Sequence, residues 1–473
     1  MNIITTRRSF LAGATAFSLS GCAGGRSGLF GGRVPNLRLG VVSDIHITDW
    51  KSTEIFRKTL RYFRDAGVDA VLIAGDIADH GILPELENTA KAWFEVFPDD
   101  KGLGGRHVER LFVYGNHDIE GLGYRDKFMD AAFDGLGISR DKAGELELRK
   151  IGLGKSWEMC FHEAYEPIGI KNVKGYDFVL AHWDSWKGVE GLEDWFRAKV
   201  SKIDVTKPFF FTQHPHPKDT CYGPWAWGHD GGQSTRALSP YRNAIAFSGH
   251  SHTTLTDERS VWRGEFTSIG TSSLSYTCLP GARANGREFS EEVRSKLSIR
   301  QGQLVSVYDD CIIIERRDFC RDETIDAAWR LEVPERPASF ESRAAGSAIP
   351  EFPKDASISV VMPDEKGQKE KNPLEISVSF PPATANADAR PYDYDVILES
   401  RASDVVLTEK SWRVYGPSAA LPRVHDADSG NVTFRFDGSF MPHKMEYRLT
   451  AIPRNSYGAA GSPISTAWTK SPA

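Results

Sequence analysis

Asp44-Ile45-His46, Gly75-Asp76, Gly115-Asn116-His117-Asp118, His214 and Gly249-His250-Ser251-His252 occur in that order along the 473-residue chain, each closing a short apolar run. Oxygen and nitrogen donors of these types suit two hard-to-borderline divalent cations. A single Asp or His at a strand end usually caps a helix or satisfies a polar core position. Five separate turns that each carry such a residue share one explanation, a metal-loaded site.

The runs that must position them are Leu37–Ser43, Ala70–Ala74, Arg110–Tyr114, Pro208–Gln213 and Ala244–Ser248. They are short and mostly apolar, as strands covered on both faces are, and ligands bind beyond the carboxyl ends of such strands. Ser52–Ala66 carries Ile55, Phe56, Leu60 and Phe63 at helical spacing, so strand, helix, strand reads as a parallel crossover unit. Residues 119–206 look like a long insertion with one more strand, Phe178–Leu180, ending near His182. Glu265–Ile269, Leu304–Val307 and Cys311–Glu315 read as further strands, the last two as a hairpin across Tyr308-Asp309-Asp310.

In order and spacing the motifs resemble the calcineurin-like metallophosphoesterase superfamily, whose pattern is D-x-H, GD, GNH(D/E), a lone His and GH-x-H, over roughly residues 36–320. The resemblance implies a four-layer αββα sandwich, with the terminal hairpin in its second sheet. It implies Asp44, His46 and His252 as ligands of one metal, Asn116, His214 and His250 of the other, and Asp76 as the bridge. An anion between two dications about 3.5–4 Å apart screens their repulsion. The metals, manganese, iron or zinc, would bring a bound water from a pKa of about 15.7 toward 7 and so supply a hydroxide nucleophile. His117 is implied as the residue that protonates the leaving oxygen, and Asp79 as the carboxylate that orients it, with a helix N-cap as the plainer role for Asp79.

Departures from the branches of the superfamily are informative. Purple acid phosphatases carry an iron-ligating tyrosine where this chain has Asp79. Phosphoprotein phosphatases follow that Asp with a phosphate-clamping arginine, and here His80 cannot supply the guanidinium fork. His182 competes with His214 for the lone-histidine motif, but His214-Pro215-His216-Pro217 fits the family context better. His216 reads as an outer-sphere phosphate contact or a surface residue. The Thr220–Tyr241 loop, with Trp225, Trp227, His229, Asp230 and Arg236, could stack a base or sugar and hold phosphate, or merely pack.

Thr5–Leu11 reads T-T-R-R-S-F-L before an uncharged stretch to Gly21, resembling a twin-arginine export signal, and Leu19-Ser20-Gly21-Cys22 resembles a lipoprotein cleavage box. Lipidated Cys22 would tether the protein to a membrane outside the cytoplasm through the Gly-rich segment 24–32. Removing Cys22 leaves five cysteines without zinc spacing, read as free thiols. A formal net charge of -6 gives no support for a nucleic-acid partner.

Four parts emerge: signal and tether 1–33, a metallophosphoesterase part 34–331, a polar linker 332–353, and an all-β sandwich 354–473. Seven alternating segments define the sandwich, and Tyr447–Ala451 with Asn455 and Gly458 loosely resembles the end of a fibronectin type III domain. It carries no catalytic cluster, so a spacer, docking or carbohydrate-contact role and catalytic dispensability are expected. The reading is an exported dinuclear phosphoesterase acting on a phosphorylated small molecule or glycan. The alternative is a cell-surface glycan-binding protein with a vestigial metal site.

Overall fold

The computed structural model describes residues 33–122, 134, 136–138, 145–183, 189–222, 228–278, 299–325, 327–333, 345–362, 375–384, 391–416, 419, 431–441 and 445–470. The export signal and Cys22 lie outside them, as do Trp225 and Trp227. Strand β1 (Leu37–Val42) leads through helix α1 (Glu54–Ala66) to β2 (Ala70–Ala74), and α2 (Leu83–Val96) leads to β3 (Glu109–Val113). After α3 (Glu145–Phe161) come β4 (Ile168–Val173), β5 (Tyr176–Ala181), α4 (Leu192–Lys199), β6 (Phe209–Thr212), α5 (Gln233–Leu238) and β7 (Ala244–Ser248). Strands β8 (Val261–Arg263), β9 (Thr267–Gly270), β10 (Gln301–Val307), β11 (Cys311–Asp318), β12 (Glu323–Thr324) and β13 (Trp329–Glu332) follow.

These strands form two sheets. The first runs β12-β11-β10-β1-β2-β3, with β13 on β11, and the second β4-β5-β6-β7-β9-β8. Within each sheet the ligand-bearing strands are parallel to one another, β1-β2-β3 and β6-β7. Side-chain alternation divides their residues between layers. Leu39, Val41, Leu72, Ala74, Leu111 and Val113 pack between the sheets with Phe178, Phe210, Ile245 and Phe247. Their alternates Val42, Val71, Ile73 and Phe112 face the first helical layer, and Val179, Phe209, Phe211 and Ala246 face the second. The result is the four-layer α/β sandwich, with every ligand strand buried on both faces.

Two sequence expectations change. The β10-β11 hairpin joins the first sheet, because β10 pairs antiparallel with β1 and covers an edge that would otherwise be open. Residues 119–206 are not simply an insertion: β4 and β5 lie in the second sheet, with β5 parallel to β6.

The C-terminal strands are β14 (Ser359–Val361), β15 (Glu375–Phe380), β16 (Pro391–Ala402), β17 (Val405–Tyr415), β18 (Val432–Asp437), β19 (Glu446–Asn455), β20 (Ile464–Ser465) and β21 (Thr469–Lys470). They form a β14-β15-β18 sheet and a β17-β16-β19-β20 sheet, with β21 on β19. One core, including Ile376, Val378, Phe380, Val396, Leu398, Phe434 and Leu449, joins the two. The expected last strand is two short pieces. Far from hanging on a bare tether, this region contacts the α/β part: Arg259 lies 5.6 Å from the Tyr392 ring, and Tyr457 Oη donates to Glu258 Oε2 at 3.4 Å. Cys160, Cys221, Cys311 and Cys320 form no disulfide among the described residues.

Helix α1 shows how local sequence fixes a layer. Phe56, Leu60 and Phe63 fall on one face and are fully buried, and the helix stops at Gly67, whose φ of 69° suits a residue without Cβ. The Phe63 ring fills the space that a Cβ on Gly40 of β1 would need. Phe63→Ala should therefore lower stability by about 3–5 kcal/mol, read as a shift in the chemical-denaturation midpoint at unchanged slope.

Candidate metal centre

All five motifs sit just past the carboxyl ends of their strands: Asp44 and His46 after β1, Asp76 after β2, Asn116 and His117 after β3, His214 after β6, His250 and His252 after β7. Asp44, His46, Asp76, His250 and His252 have φ of 50°, 50°, 50°, 67° and 53°, in the left-handed region. Side chains other than glycine adopt it at a cost, up to about 1–3 kcal/mol each, when the surroundings impose it. It turns successive side chains inward instead of letting them alternate. The motif glycines serve the same packing. A Cβ on Gly75 would overlap the His214 ring, one on Gly115 would overlap Asp76, and one on Gly249 would overlap Asp44 and Ser43.

The convergence forms two groups that share Asp76. Asp44, His46, Asp76 and His252 offer ligand atoms within 4.8 Å of one another, and so do Asp76, His214 and His250. His252 Nε2 lies 2.9 Å from Asp44 Oδ1, and His214 Nε2 lies 3.1 Å from Asp76 Oδ2. Hydrogen-bond partners assign the tautomers. His46 Nδ1 donates to Asp79 Oδ1 (3.0 Å), His214 Nδ1 to the Ala74 carbonyl (2.7 Å) and His252 Nδ1 to the Tyr276 carbonyl (2.7 Å). A ring that donates from Nδ1 in this way turns its Nε2 toward the site. His46 Nε2 and His252 Nε2 face each other there at 3.3 Å. Asn116 Oδ1 is buried with no hydrogen-bond partner among the described residues. Imidazole nitrogens that converge on one point beside buried carboxylates, with an orphaned amide oxygen among them, suit cation ligands, so the donor set fits a pair of divalent metals.

Charge points the same way. Burial opposes ionisation of Asp44, yet His252 and His214 hold its carboxyl down to about 2. Burial likewise opposes Asp76, and His214 with His46 and His117 keeps it well below the carboxylate range. His214 is raised to about 9: burial works against its cation, but Asp76 and Asp44 favour it more. His250 falls to about 3, through burial and then the neighbouring His214. A pocket that ionises two buried acids and protonates an imidazole between them is built for positive charge.

The structure redistributes several sequence-assigned roles. Asp79 orients His117 through its backbone carbonyl, which accepts from His117 Nδ1 at 2.7 Å, while its carboxylate holds His46 and lies 3.9 Å from His117. His80 is bracketed by Glu85, which accepts from its ring at 2.9 Å and its amide at 2.8 Å. His182 belongs to none of the donor groups. Its Nδ1 accepts from the Tyr114 amide at 3.1 Å, and burial brings it down to about 3, so it is a neutral support for the end of β3. His216 is fully buried, with Ser248 Oγ and Ser251 Oγ each 2.8 Å from a ring nitrogen, so it is no surface residue and braces the turn that carries His250. Asp230 is tied to Gln213, Ser234 and the Lys218 and Gly232 amides, and Arg236 pairs with Glu193 at 2.7 Å, so both build the loop.

Sequence reading gave no role to Asp118, the last letter of G-N-H-D. Its buried carboxylate accepts from the amides of Ile77, Ala78 and Gly115 at 3.1, 2.7 and 2.7 Å, which clamps the Asp76 turn to the Asn116 turn. Burial and then Asp76 push it up to about 7 against those amides. Tyr276, whose ring centroid lies 4.2 Å from that of His252, had no motif to announce it. Because a backbone carbonyl holds His117, Asp79→Ala should leave that ring in place while weakening cation binding at His46 by about 10–100-fold. Manganese titration calorimetry reads this, and an unchanged affinity would contradict the assignment.

Residues 37–254 match the calcineurin-like phosphoesterase family. No curated protein matches the chain. Similar solved structures include a dimetal phosphatase from Danio rerio, at 11% identity and TM-score 0.35, spanning 61% of this chain and 98% of that one. GAP50, the anchor in the inner membrane complex of Plasmodium, is 12% identical at TM-score 0.37, spanning 65% and 90%. Vps29 from Entamoeba histolytica, complexed with zinc, is 9% identical at TM-score 0.27, spanning 63% and 99%. The strand-end donor cluster lies in the segment that matches the family, and residues 37–254 form a calcineurin-like phosphoesterase domain.

Proposed function

We propose that the protein is a two-metal phosphoesterase that hydrolyses phosphate mono- or diesters of small molecules or glycans. The observation that carries this reading is the pair of donor groups sharing Asp76, with imidazole nitrogens facing each other across the site. Two divalent cations there would supply a water activated at neutral pH and neutralise phosphoryl oxygens. Asp44, His46 and His252 would hold one cation, Asn116, His214 and His250 the other, and Asp76 both.

His117 stands beside this cluster, its ring edge-on to His46 with centroids 4.5 Å apart and its side chain about a quarter exposed. The Asp79 carbonyl accepts the Nδ1 hydrogen bond, an orientation in which Nε2 would deliver a proton to the leaving oxygen. Asp118 and His216 keep the ligand turns in register from behind.

Metal-depleted protein should not turn over a chromogenic phosphomonoester or diester, and manganese, zinc or iron should restore activity. Asp76→Asn should lower turnover by more than about 100-fold and empty at least one site by elemental analysis, since a neutral amide cannot screen two dications. Two bound metals with full activity would overturn the site assignment. His117→Ala should keep both metals and lose about 10²–10⁴-fold in turnover, most for esters with poor leaving groups. Uniform loss across leaving groups would make His117 a phosphate binder instead.

The proposal also places the enzyme beyond the cytoplasmic membrane, on the Arg7-Arg8 and Leu19–Cys22 motifs. R7K with R8K should strand the precursor in the cytosol, and Cys22→Ala should release exported protein from membranes. Normal export of the double-Lys variant would refute the twin-arginine reading.

A further inference from the structure

The segment after the last ligand is an irregular loop with an unusual burial record. His252 through Glu258 are all buried although no strand begins before Val261. Loops normally run over the surface, because buried irregular backbone needs partners for each polar group. On the inner side the partners come from the α/β part. The Cys278 amide donates to the His252 carbonyl at 2.7 Å, and the Leu255 amide donates to Gln301 Oε1 at 2.7 Å.

The outer side is covered by the C-terminal sandwich. Thr254 Oγ1 and Thr256 Oγ1, 2.6 Å apart, both reach the carbonyl of Ala419, which follows β17; the Thr254 contact is 3.0 Å. Three residues on, the buried Asp257 carboxylate holds Arg259 through Nη2 at 2.7 Å and Nε at 3.0 Å, and that guanidinium lies against Tyr392 at the start of β16. Tyr392 is 1% exposed and packs edge-on against Tyr415. Glu258 ties the next position to Arg316, to Trp329 and, through Tyr457, to the end of β19. The loop is thus gripped from one strand, β16, and from the segments that follow β17 and β19, beginning two residues after a ligand.

We propose that the C-terminal sandwich is a positioning part of the metal centre: by holding Thr254, Thr256 and Arg259 it fixes the turn that presents His250 and His252. The need for such a clamp is visible in the backbone. Both histidines sit at positive φ; His216 braces the turn at Ser248 and Ser251, and the Cys278 amide holds the His252 carbonyl from the inner side. On the outer side the grip on the loop that follows comes from the sandwich, and its loss would let the turn relax toward ordinary φ and withdraw both imidazoles. The expectation that residues 354–473 are dispensable for catalysis is replaced by dependence of the cation site on them. This rests on the two-metal reading above.

The test uses the full chain and reads cation binding, not turnover. T254V with T256V removes both hydroxyls from the Ala419 carbonyl at nearly constant shape, and Tyr392→Ala breaks the Arg259 contact from within the sandwich. Each should weaken manganese binding by calorimetry about tenfold or more, the size of effect that residues supporting metal ligands show, and should speed hydrogen exchange of the 250–260 amides. If the wild-type chain binds no cation, the two-metal reading fails. If it binds manganese and either variant binds it as tightly, the positioning proposal fails, whatever happens to stability. Should Tyr392→Ala unfold the sandwich alone, undiminished binding overturns the proposal and weakened binding supports it.

Discussion

Two carboxylates buried beside one another set the terms for this fold. Asp44 is 0% exposed and Asp76 is 1% exposed, and both are held ionised. An isolated buried carboxylate is costly enough to take up a proton instead. Here four histidines surround the pair, and Asp44 receives the His250 amide while Asp76 receives the His117 amide. The arrangement is stable only with positive charge at its centre, whether an imidazolium such as His214 or metal cations. Demand for a cation is therefore a property of the resting protein and precedes any substrate.

That demand explains backbone features otherwise out of place. Parallel strands ending at one level let five turns deliver donors into one volume, but extended backbone would alternate them away from it. Left-handed φ at five donors corrects the direction, and glycines at 75, 115 and 249 leave room for neighbouring side chains. Asp118 and His216 hold the strained turns by hydrogen bonds that never reach the centre. The strain is concentrated at the site and balanced by a fully buried sheet pair behind it.

The sandwich changes how the chain divides. By composition the polar stretch after Glu332 is a linker between independent parts, and each part does have its own core. Yet the buried loop after His252 obtains its outer hydrogen bonds from residues more than 130 positions away. Separate cores do not make separate parts when one satisfies the polar groups of the other's buried loop.

The sequence by itself determined what is local. Strand-end motifs, the continuous apolar runs of β1, β2, β3, β6 and β7, and the amphipathic face of α1 are written in consecutive residues, since each depends on backbone geometry within a few positions. Tertiary structure decided what depends on register between distant segments. Whether β10 lay in the first sheet or the second was such a question. The flanking residues favoured His214 over His182, but both follow apolar strands, and it is the packing of the sheets that puts His214 Nε2 beside Asp76. Asp79 could be placed near the site from its spacing, but a spacing does not say that its carboxylate meets His46 while its carbonyl meets His117. Nor could residues near 254 announce contact with residue 419. A side chain's partner across space is fixed by packing of whole layers, which no short window of sequence contains.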